Sequence, residues 1–398
     1  MVFPLFLLFQ DRGTYMKYRN ENENTRRSKG NTSPKSISER EVYKNAPSRF
    51  RKKRGRINMA VVLVTVLLTA ALAASAVQIV RISGNAESDR REQIEEAIGS
   101  EKETVSEANK VDTESFTVSA SDVYTGNLIL VNYENEYVFP EDESALVSVY
   151  QSKTEDYSVA YPDFLLDDEV LAAFNSFAAE LADTTGESCL LINSTYRSYE
   201  EQQETYEYFL NENGEEYAKE YVADPGKSEH HTGLALDLTI RFADGTYQRM
   251  ADYEHYDVIN TLCVEYGFIH RYPANKEAET HISNEPWHYR YVGVPHSYVI
   301  SKERYCLEEY IEALKEYTLS GKLLCIDADG EIGECDMNTL PEAGYVIYYV
   351  PAAAAETVIV YPAESDEYSV SGNNSDGFVV AVRFGEVTLP ETSFTIVG

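Results

Sequence analysis

Apolar residues recur along this chain at two spacings, which predict helices and strands in an irregular order. Over residues 167–183 the apolar side chains fall three or four positions apart, as on one face of a helix. Over residues 233–240 every second residue is Leu or Ile, which predicts a strand with Asp237 on its other face. Mixed elements without a regular strand–helix–strand rhythm predict an α+β domain with a central antiparallel sheet flanked by helices.

The same patterns outline two folded regions. Short strands are predicted at 127–131, 189–192 and 287–292, and helices at 199–210, 256–266 and 303–317. We assign these elements to a main domain at residues 120–318. Beyond it, β-branched and aromatic runs at 345–350, 357–361 and 378–384 are separated by Pro, Gly, Asn and Ser. They predict a small all-β domain at 321–398, whose role the sequence does not indicate.

A long apolar segment lies close to the N-terminus. Residues 57–80 carry no charge, and the segment RKKRGR at 51–56 precedes them directly. About 20 apolar residues suffice for a membrane-spanning helix, and flanking basic residues stay in the cytoplasm. We therefore expect a basic disordered cytoplasmic segment (1–56), a single transmembrane anchor (57–81), a polar stalk (82–119) and an extracellular main domain at the cell membrane. A cleaved signal peptide is the alternative interpretation.

Net charge and cysteine content exclude one class of binding partner and one type of scaffold. The chain has a net charge of −33, although residues 1–56 contain 15 Lys and Arg against 5 Asp and Glu. The rest of the chain is therefore strongly acidic, which argues against nucleic acid as a partner. The five cysteines are too scattered for a disulfide scaffold. Cys325 and Cys335 flank a predicted turn, and both pairing and free thiols remain open.

Two short motifs carry candidate chemistry. The first, SEHHTGLALD at 228–237, contains His230 and Asp237; the second, EPWHYR at 285–290, contains Glu285 and His288. Two histidines and one carboxylate, with a fourth position left to water, are typical of a catalytic zinc site. A nearby glutamate can act as the general base on that water. Taken alone, however, this spacing occurs by chance in many proteins.

Several motifs together make the pattern more specific. The chain also contains STYRSY at 194–199, YGF at 266–268 and RYP at 271–273, and the two motifs above belong to longer matches, PGKSEH at 225–230 and EPWHYRYVG at 285–293. Over about residues 125–315 the chain resembles the VanY-type D-alanyl-D-alanine carboxypeptidases, which share a fold with lysostaphin and the Hedgehog signalling domain.

The resemblance implies a role for seven residues. It implies that one zinc ion is held by His230, Asp237 and His288, and that Glu285 is the general base. Arg197 is expected to stabilise the oxyanion or to bind the substrate carboxylate. Gln202 and Ser228 match positions that contact substrate. The chain departs from the family pattern at His231, where Gln is frequent, so this histidine is interpreted as a neighbour of the ligands, an exposed residue or an alternative ligand.

The expected function is removal of the terminal D-Ala from peptidoglycan stem peptides, by a D,D- or L,D-carboxypeptidase. Two alternatives remain open. One is an endopeptidase of the same fold that cuts peptidoglycan crosslinks, and the other is a zinc-containing cell-wall binding module without activity. The presence of Glu285 argues against the second alternative, since a binding module needs no base.

Overall fold

The computed structural model of the protein describes residues 111–141 and 145–390, and both helices and strands occur there. The strands are β1 Thr113–Ser119, β2 Leu146–Ser148, β3 Tyr157–Val159, β4 Leu165–Asp167, β5 Leu190–Ser194, β6 Ala235–Arg241, β7 Tyr247–Gln248, β8 Phe268–His270, β9 His288–Tyr291, β10 Leu323–Asp327, β11 Ile332–Cys335, β12 Gly344–Pro351, β13 Glu356–Pro362, β14 Glu367–Gly372 and β15 Gly377–Phe384. The α-helices are α1 Val149–Ser152, α2 Asp168–Thr185, α3 Tyr199–Asn213, α4 Glu215–Tyr221, α5 Tyr256–Glu265, α6 Glu277–Thr280, α7 His296–Glu303 and α8 Leu307–Leu314. The predicted α+β class is confirmed.

The central sheet has six strands in the order β3-β5-β6-β9-β8, with β7 paired to β6. All its pairs are antiparallel except β3 with β5, which is parallel. The prediction of an antiparallel sheet is thus correct for most of it. The exception has a physical cause: α2 lies between β3 and β5 in the chain, and a crossover helix brings the next strand back in the same direction.

Helix α2 forms much of the core against this sheet. Asp167 caps its N-terminus by accepting hydrogen bonds from the backbone of Glu169 and Val170, and Gly186 ends it in the left-handed conformation. Its buried residues are Val170, Leu171, Phe174, Phe177, Ala178 and Leu181. These are the side chains that its helical spacing predicts on one face. They pack with apolar residues of β5, β6, β8 and β9 in one cluster.

The C-terminal strands form a second sheet in the order β11-β10-β12-β15-β14. The strands predicted at 345–350, 357–361 and 378–384 match β12, β13 and β15. Cys325 and Cys335 form a disulfide between β10 and β11, while the other three cysteines are free and buried. Residues of β10, β12 and β15 join the same apolar cluster as α2. A separate domain beginning at about residue 321 therefore stays a prediction.

The end of the predicted stalk is built into the fold. Strand β1 pairs antiparallel with β13, so residues 113–119 lie against a segment more than two hundred positions away. The stalk boundary at residue 119 is corrected accordingly. The polar sequence of this segment hides the pairing, because β1 buries only Thr113 fully and exposes Glu114 and Thr117.

The strand predicted at 127–131 is not formed. Its apolar side chains are buried as expected, since Leu128, Ile129 and Val131 are at most 4% exposed. Its backbone N–H groups, however, donate hydrogen bonds to a side chain and to a loop. Ser371 Oγ accepts from Leu128 N at 2.8 Å, and the loop carbonyl of Asn373 accepts from Leu130 N at 3.3 Å. A short apolar run can thus be buried without pairing to another strand.

No helix within residues 111–141 and 145–390 is both long enough and apolar enough to cross a membrane. The predicted basic segment (1–56), the anchor (57–81) and the first part of the stalk lie outside the described residues.

Candidate metal centre

Two neighbouring strands and one short turn bring three metal-ligand side chains together. In the register of β6 with β9, Asp237 stands directly opposite His288, so their side chains share one face of the sheet. His230 lies on a 3₁₀ turn, Glu229–Thr232, that leads into β6. Ligand atoms of these three residues all lie within 4.8 Å of one another.

The donor atoms have distances that suit a divalent cation. His230 Nε2 is 3.3 Å from Asp237 Oδ2, and His288 Nδ1 is 3.0 Å from Asp237 Oδ1. Zinc–ligand bonds of about 2.0–2.2 Å in a tetrahedron place neighbouring donors about 3.3–3.6 Å apart. Both histidines are at most 4% exposed. The residues present therefore fit a zinc ion with two nitrogen donors and one oxygen donor.

Hydrogen bonds on the far side of each ring set the histidine tautomers. His230 Nδ1 is 2.7 Å from the carbonyl oxygen of Thr195, which can only accept, so the proton lies on Nδ1. His288 Nε2 is 3.3 Å from Glu229 Oε2. With protons on these outer nitrogens, His230 Nε2 and His288 Nδ1 both offer lone pairs towards Asp237, as a metal ligand must.

The electrostatics of the three residues favour a positive charge between them. Burial and the nearby Arg197 lower the pKa of His230 to about 4. Burial also lowers the pKa of His288, but hydrogen bonds to Asp237 and Glu229 outweigh it and raise that pKa to about 9. Burial raises the pKa of Asp237, but the two histidines lower it by a larger amount. The net pKa is below the usual range, so Asp237 is a carboxylate. His230 is therefore neutral near pH 7, and the raised pKa of His288 reflects the carboxylates around it, a negative environment in which a metal cation can take the place of the proton.

Glu285 lies beside the three donors. Its Oε2 is 3.8 Å from His288 Nδ1, and the residue is 7% exposed. Burial raises the pKa of Glu285 to about 8, against the opposing effect of His288. A carboxyl group with this pKa can take up and release a proton near neutral pH.

The backbone of Glu285 is held on three sides. Its N–H donates to the carbonyl of Tyr272 at 3.0 Å, and its own carbonyl accepts from His288 N at 3.1 Å. His270 Nε2 lies 3.1 Å from the same carbonyl. Its bond to Glu285 is a role that the sequence did not indicate, because no motif spacing connects the two residues.

Arg197 is positioned through its backbone by both histidines of the turn. Its N–H donates to the carbonyl of His230 at 3.0 Å, and its carbonyl accepts from His231 Nδ1 at 2.7 Å. The side chain is half-buried, and its positive charge lowers the pKa of His230 and of Glu285. The guanidinium therefore acts on the same space as the metal donors and Glu285.

His231 is neither exposed nor directed at the metal donors. It is 1% exposed, and its Nε2 accepts from the backbone N–H of Gly226 at 3.0 Å. Since Nδ1 donates to the carbonyl of Arg197, both ring nitrogens are engaged in one neutral tautomer. The exposed and alternative-ligand interpretations are thus wrong, and His231 connects Arg197 to the loop at Gly226.

The two predicted substrate-contacting residues differ in placement. Ser228 caps the 3₁₀ turn, because its Oγ accepts from the backbone of His230 at 3.3 Å. Gln202 lies on α3, is 1% exposed and donates from Nε2 to the carbonyl of Ala223 at 2.7 Å. Within the described part of the chain its Oε1 is buried without a hydrogen-bond partner. Contact with substrate stays a prediction for both.

The chain is similar to known proteins of one family. Residues 163–294 match the model of the VanY family, described as D-alanyl-D-alanine carboxypeptidase. A D-alanyl-D-alanine carboxypeptidase of Enterococcus faecium is 31% identical over 272 residues, which cover 68% of this chain and 79% of that protein. The bifunctional D-Ala-D-Ala dipeptidase and D-Ala-D-Ala carboxypeptidase VanXYC of Enterococcus gallinarum is 44% identical over 124 residues, 30% of this chain and 65% of that protein.

A solved structure resembles the fold as well. It is the vancomycin resistance D,D-dipeptidase VanXYg in complex with a D-Ala-D-Ala phosphinate analogue. The TM-score is 0.57 at 32% sequence identity, and the alignment covers 68% of this chain and 99% of that chain.

Proposed function

Because the chain belongs to the VanY family of D-alanyl-D-alanine carboxypeptidases and is a peptidase, we propose that it is zinc-dependent and removes the terminal D-Ala from peptidoglycan stem peptides. The observation that carries this proposal is the convergence of His230, Asp237 and His288, with Glu285 beside them. A metal centre with an adjacent carboxylate of raised pKa is an arrangement that can catalyse hydrolysis of a peptide bond.

The three donors would hold one zinc ion, which as a Lewis acid would polarise a carbonyl group and lower the pKa of a water molecule towards about 7. Glu285 accepts the proton of the attacking water and returns it to the nitrogen of the departing D-alanine. The bond formed is from the water oxygen to the carbonyl carbon, and the bond broken is the peptide C–N bond. Atoms balance as peptide plus water gives a shortened peptide plus D-alanine.

Arg197 supplies the positive charge for the substrate. Its guanidinium can stabilise the negative charge that develops on the carbonyl oxygen, or it can bind the terminal carboxylate as a planar fork. Either task requires a fixed position, and the bonds of its backbone to His230 and His231 support that requirement. Gln202 and Ser228 remain candidates for contact with the rest of the substrate.

The test uses the purified full-length chain with zinc. Stem peptides ending in D-Ala-D-Ala or in L-Lys-D-Ala, and a crosslinked muropeptide dimer, are incubated with it and followed by mass spectrometry. We expect loss of one D-Ala from a linear peptide, abolished by a chelator and restored by zinc. Cleavage of the dimer alone would establish an endopeptidase instead, and no cleavage of any of the three would contradict the proposal.

We also propose that residues 57–81 anchor the protein in the cell membrane with the catalytic region outside. The uncharged segment at 57–80 and the basic residues before it support this placement. An anchored chain should stay with the membrane fraction in alkaline carbonate and be released by detergent. A mature N-terminus near Ala76 would show that the segment is a cleaved signal peptide.

A further inference from the structure

A buried carboxylate that the proposed chemistry does not use lies directly behind the metal donors. The side chain of Glu229 is fully buried. Its Oε1 accepts from Arg271 Nε at 2.8 Å and from Arg290 Nη1 at 2.9 Å, while its Oε2 is 3.3 Å from His288 Nε2. One carboxylate thus contacts two guanidinium groups and one histidine that also faces Asp237.

The two arginines keep Glu229 ionised and fixed in place. Both guanidinium groups lie at hydrogen-bond distance from Glu229 Oε1, so two positive charges face the buried carboxylate. An unpaired buried carboxylate would be costly, so the arginines are necessary partners rather than additions.

The outer sides of both arginines are bonded too. Arg271 forms a bidentate pair with Glu308 of α8, at 2.8 and 2.7 Å. Arg290 Nη2 donates to the carbonyls of Asn127 and Ile129 at 2.9 and 3.0 Å. Two carboxylates and two guanidinium groups balance in charge, and their paired geometry leaves Glu229 Oε2 directed at His288.

The anion determines which nitrogen of His288 carries the proton. A carboxylate oxygen can only accept, so a neutral His288 donates from Nε2 and leaves its lone pair on Nδ1, which faces Asp237. We propose that Glu229 is a positioning residue for the metal centre, which selects the tautomer and the ring orientation of His288 so that Nδ1 binds the cation. The inference extends the proposed zinc site but does not depend on the identity of the peptide substrate.

Two matched variants separate positioning from general stability. Glu229→Gln keeps the shape of the side chain and removes the charge that faces His288. Glu308→Gln removes a charge from the same network, bonded to the same Arg271, without a contact to His288. The loss of a partner carboxylate behind a histidine ligand typically weakens metal binding 10–100-fold. We expect such a rise in the zinc Kd for Glu229→Gln, measured by competition with a chelator, and a change below about threefold for Glu308→Gln. Equal losses in both variants would overturn the inference.

A measurement on the unaltered protein keeps the inference testable if Glu229→Gln does not fold. Long-range proton–nitrogen NMR spectra of the zinc-loaded chain with labelled histidine distinguish the two ring nitrogens. We expect His288 to carry its proton on Nε2 and His230 on Nδ1. Metal binding by Nε2 of His288 would contradict the inference. Failure of the peptidase assay alone would leave both readouts valid, so the two proposals fail separately.

Discussion

The central sheet and the C-terminal sheet both contain strands buried on two faces, but they bury different chemistry. In β9, Tyr289 and Tyr291 join the apolar cluster, whereas His288 and Arg290 are buried on the other side against Glu229. Strand β15 alternates as well, yet both of its faces are apolar. Phe378, Val380, Val382 and Phe384 lie in one cluster and Val379 and Ala381 in another.

Because of this difference, we expect substitutions in the two sheets to affect different properties of the protein. Each buried polar group beside β9 needs a partner at hydrogen-bond distance, so one changed atom there disturbs the chemistry. Apolar residues of the C-terminal sheet need only the correct volume, so changes there create cavities and lower stability. We therefore expect substitutions near β9 to act mainly on zinc binding or turnover, and those in the C-terminal sheet mainly on unfolding.

The largest effect is expected for Glu285→Gln. The amide keeps the size of the side chain but cannot accept the proton of water, and loss of a general base typically costs 10²–10⁴-fold in rate. We expect D-Ala release to fall by about that factor, while zinc content and thermal stability stay unchanged because Glu285 is not among the three donors. The measurement is mass spectrometry of stem-peptide cleavage, with zinc quantified in the same samples.

The matched control for that variant is Glu312→Gln. Glu312 is a largely exposed residue of α8 that pairs with Lys315, and exposed ion pairs contribute little. Its turnover should equal that of the unaltered protein. Full activity in Glu285→Gln would show that Glu285 is not the general base, and it would contradict the contrast drawn between the two sheets.

The second effect concerns the C-terminal sheet. Leu323 of β10 is fully buried in the apolar cluster that includes Tyr348 and Phe378. Leu323→Ala leaves a cavity, which typically costs about 2–5 kcal/mol in the free energy of unfolding. Urea denaturation should show this loss, whereas D-Ala release measured well below the unfolding transition should stay within about twofold.

Leu210→Ala is the control, because Leu210 on α3 is 37% exposed. Its unfolding free energy should change by less than about 0.5 kcal/mol, as for most surface positions. If Leu323→Ala instead lost turnover at low temperature, the change would be reaching the metal donors through the C-terminal sheet, whose other face belongs to the apolar cluster of the central sheet.

The sequence predicted the elements that depend on local spacing. The six buried residues of α2 follow from helical periodicity, and a strand at 287–292 implies by its alternation that His288 and Arg290 share one face. Neither pattern contains the register that puts Asp237 opposite His288. The resemblance to a known family, carried by several ordered motifs, supplied that grouping.

Long-range partners account for what the sequence did not predict. The polar residues of β1 pair with β13, and the apolar run at 127–131 bonds side chains from elsewhere in the chain. Glu229 was visible within a motif, but its pairing with Arg271 and Arg290 joins three distant segments. Two buried arginines require a carboxylate, although the sequence alone does not indicate that either arginine is buried.

The smallest effect is expected at the disulfide of the C-terminal sheet. Cys325 and Cys335 close a ten-residue separation at the edge hairpin of β10 and β11. Loss of such a link costs at most about 3 kcal/mol on chain-entropy grounds. Cys335→Ser should lower the urea midpoint without altering turnover or zinc content, because neither cysteine belongs to the apolar face that joins the central sheet.

A reducing agent provides the internal control for this variant. It should lower the urea midpoint of the unaltered protein to that of Cys335→Ser and leave the variant itself unchanged, since the remaining cysteines are free. If the reducing agent lowered the urea midpoint of the variant as well, its effect would not be explained by the Cys325–Cys335 disulfide. Lost turnover in either sample would contradict the contrast, because it would mean that the edge of the apolar sheet, and not only the polar face of β9, determines the chemistry.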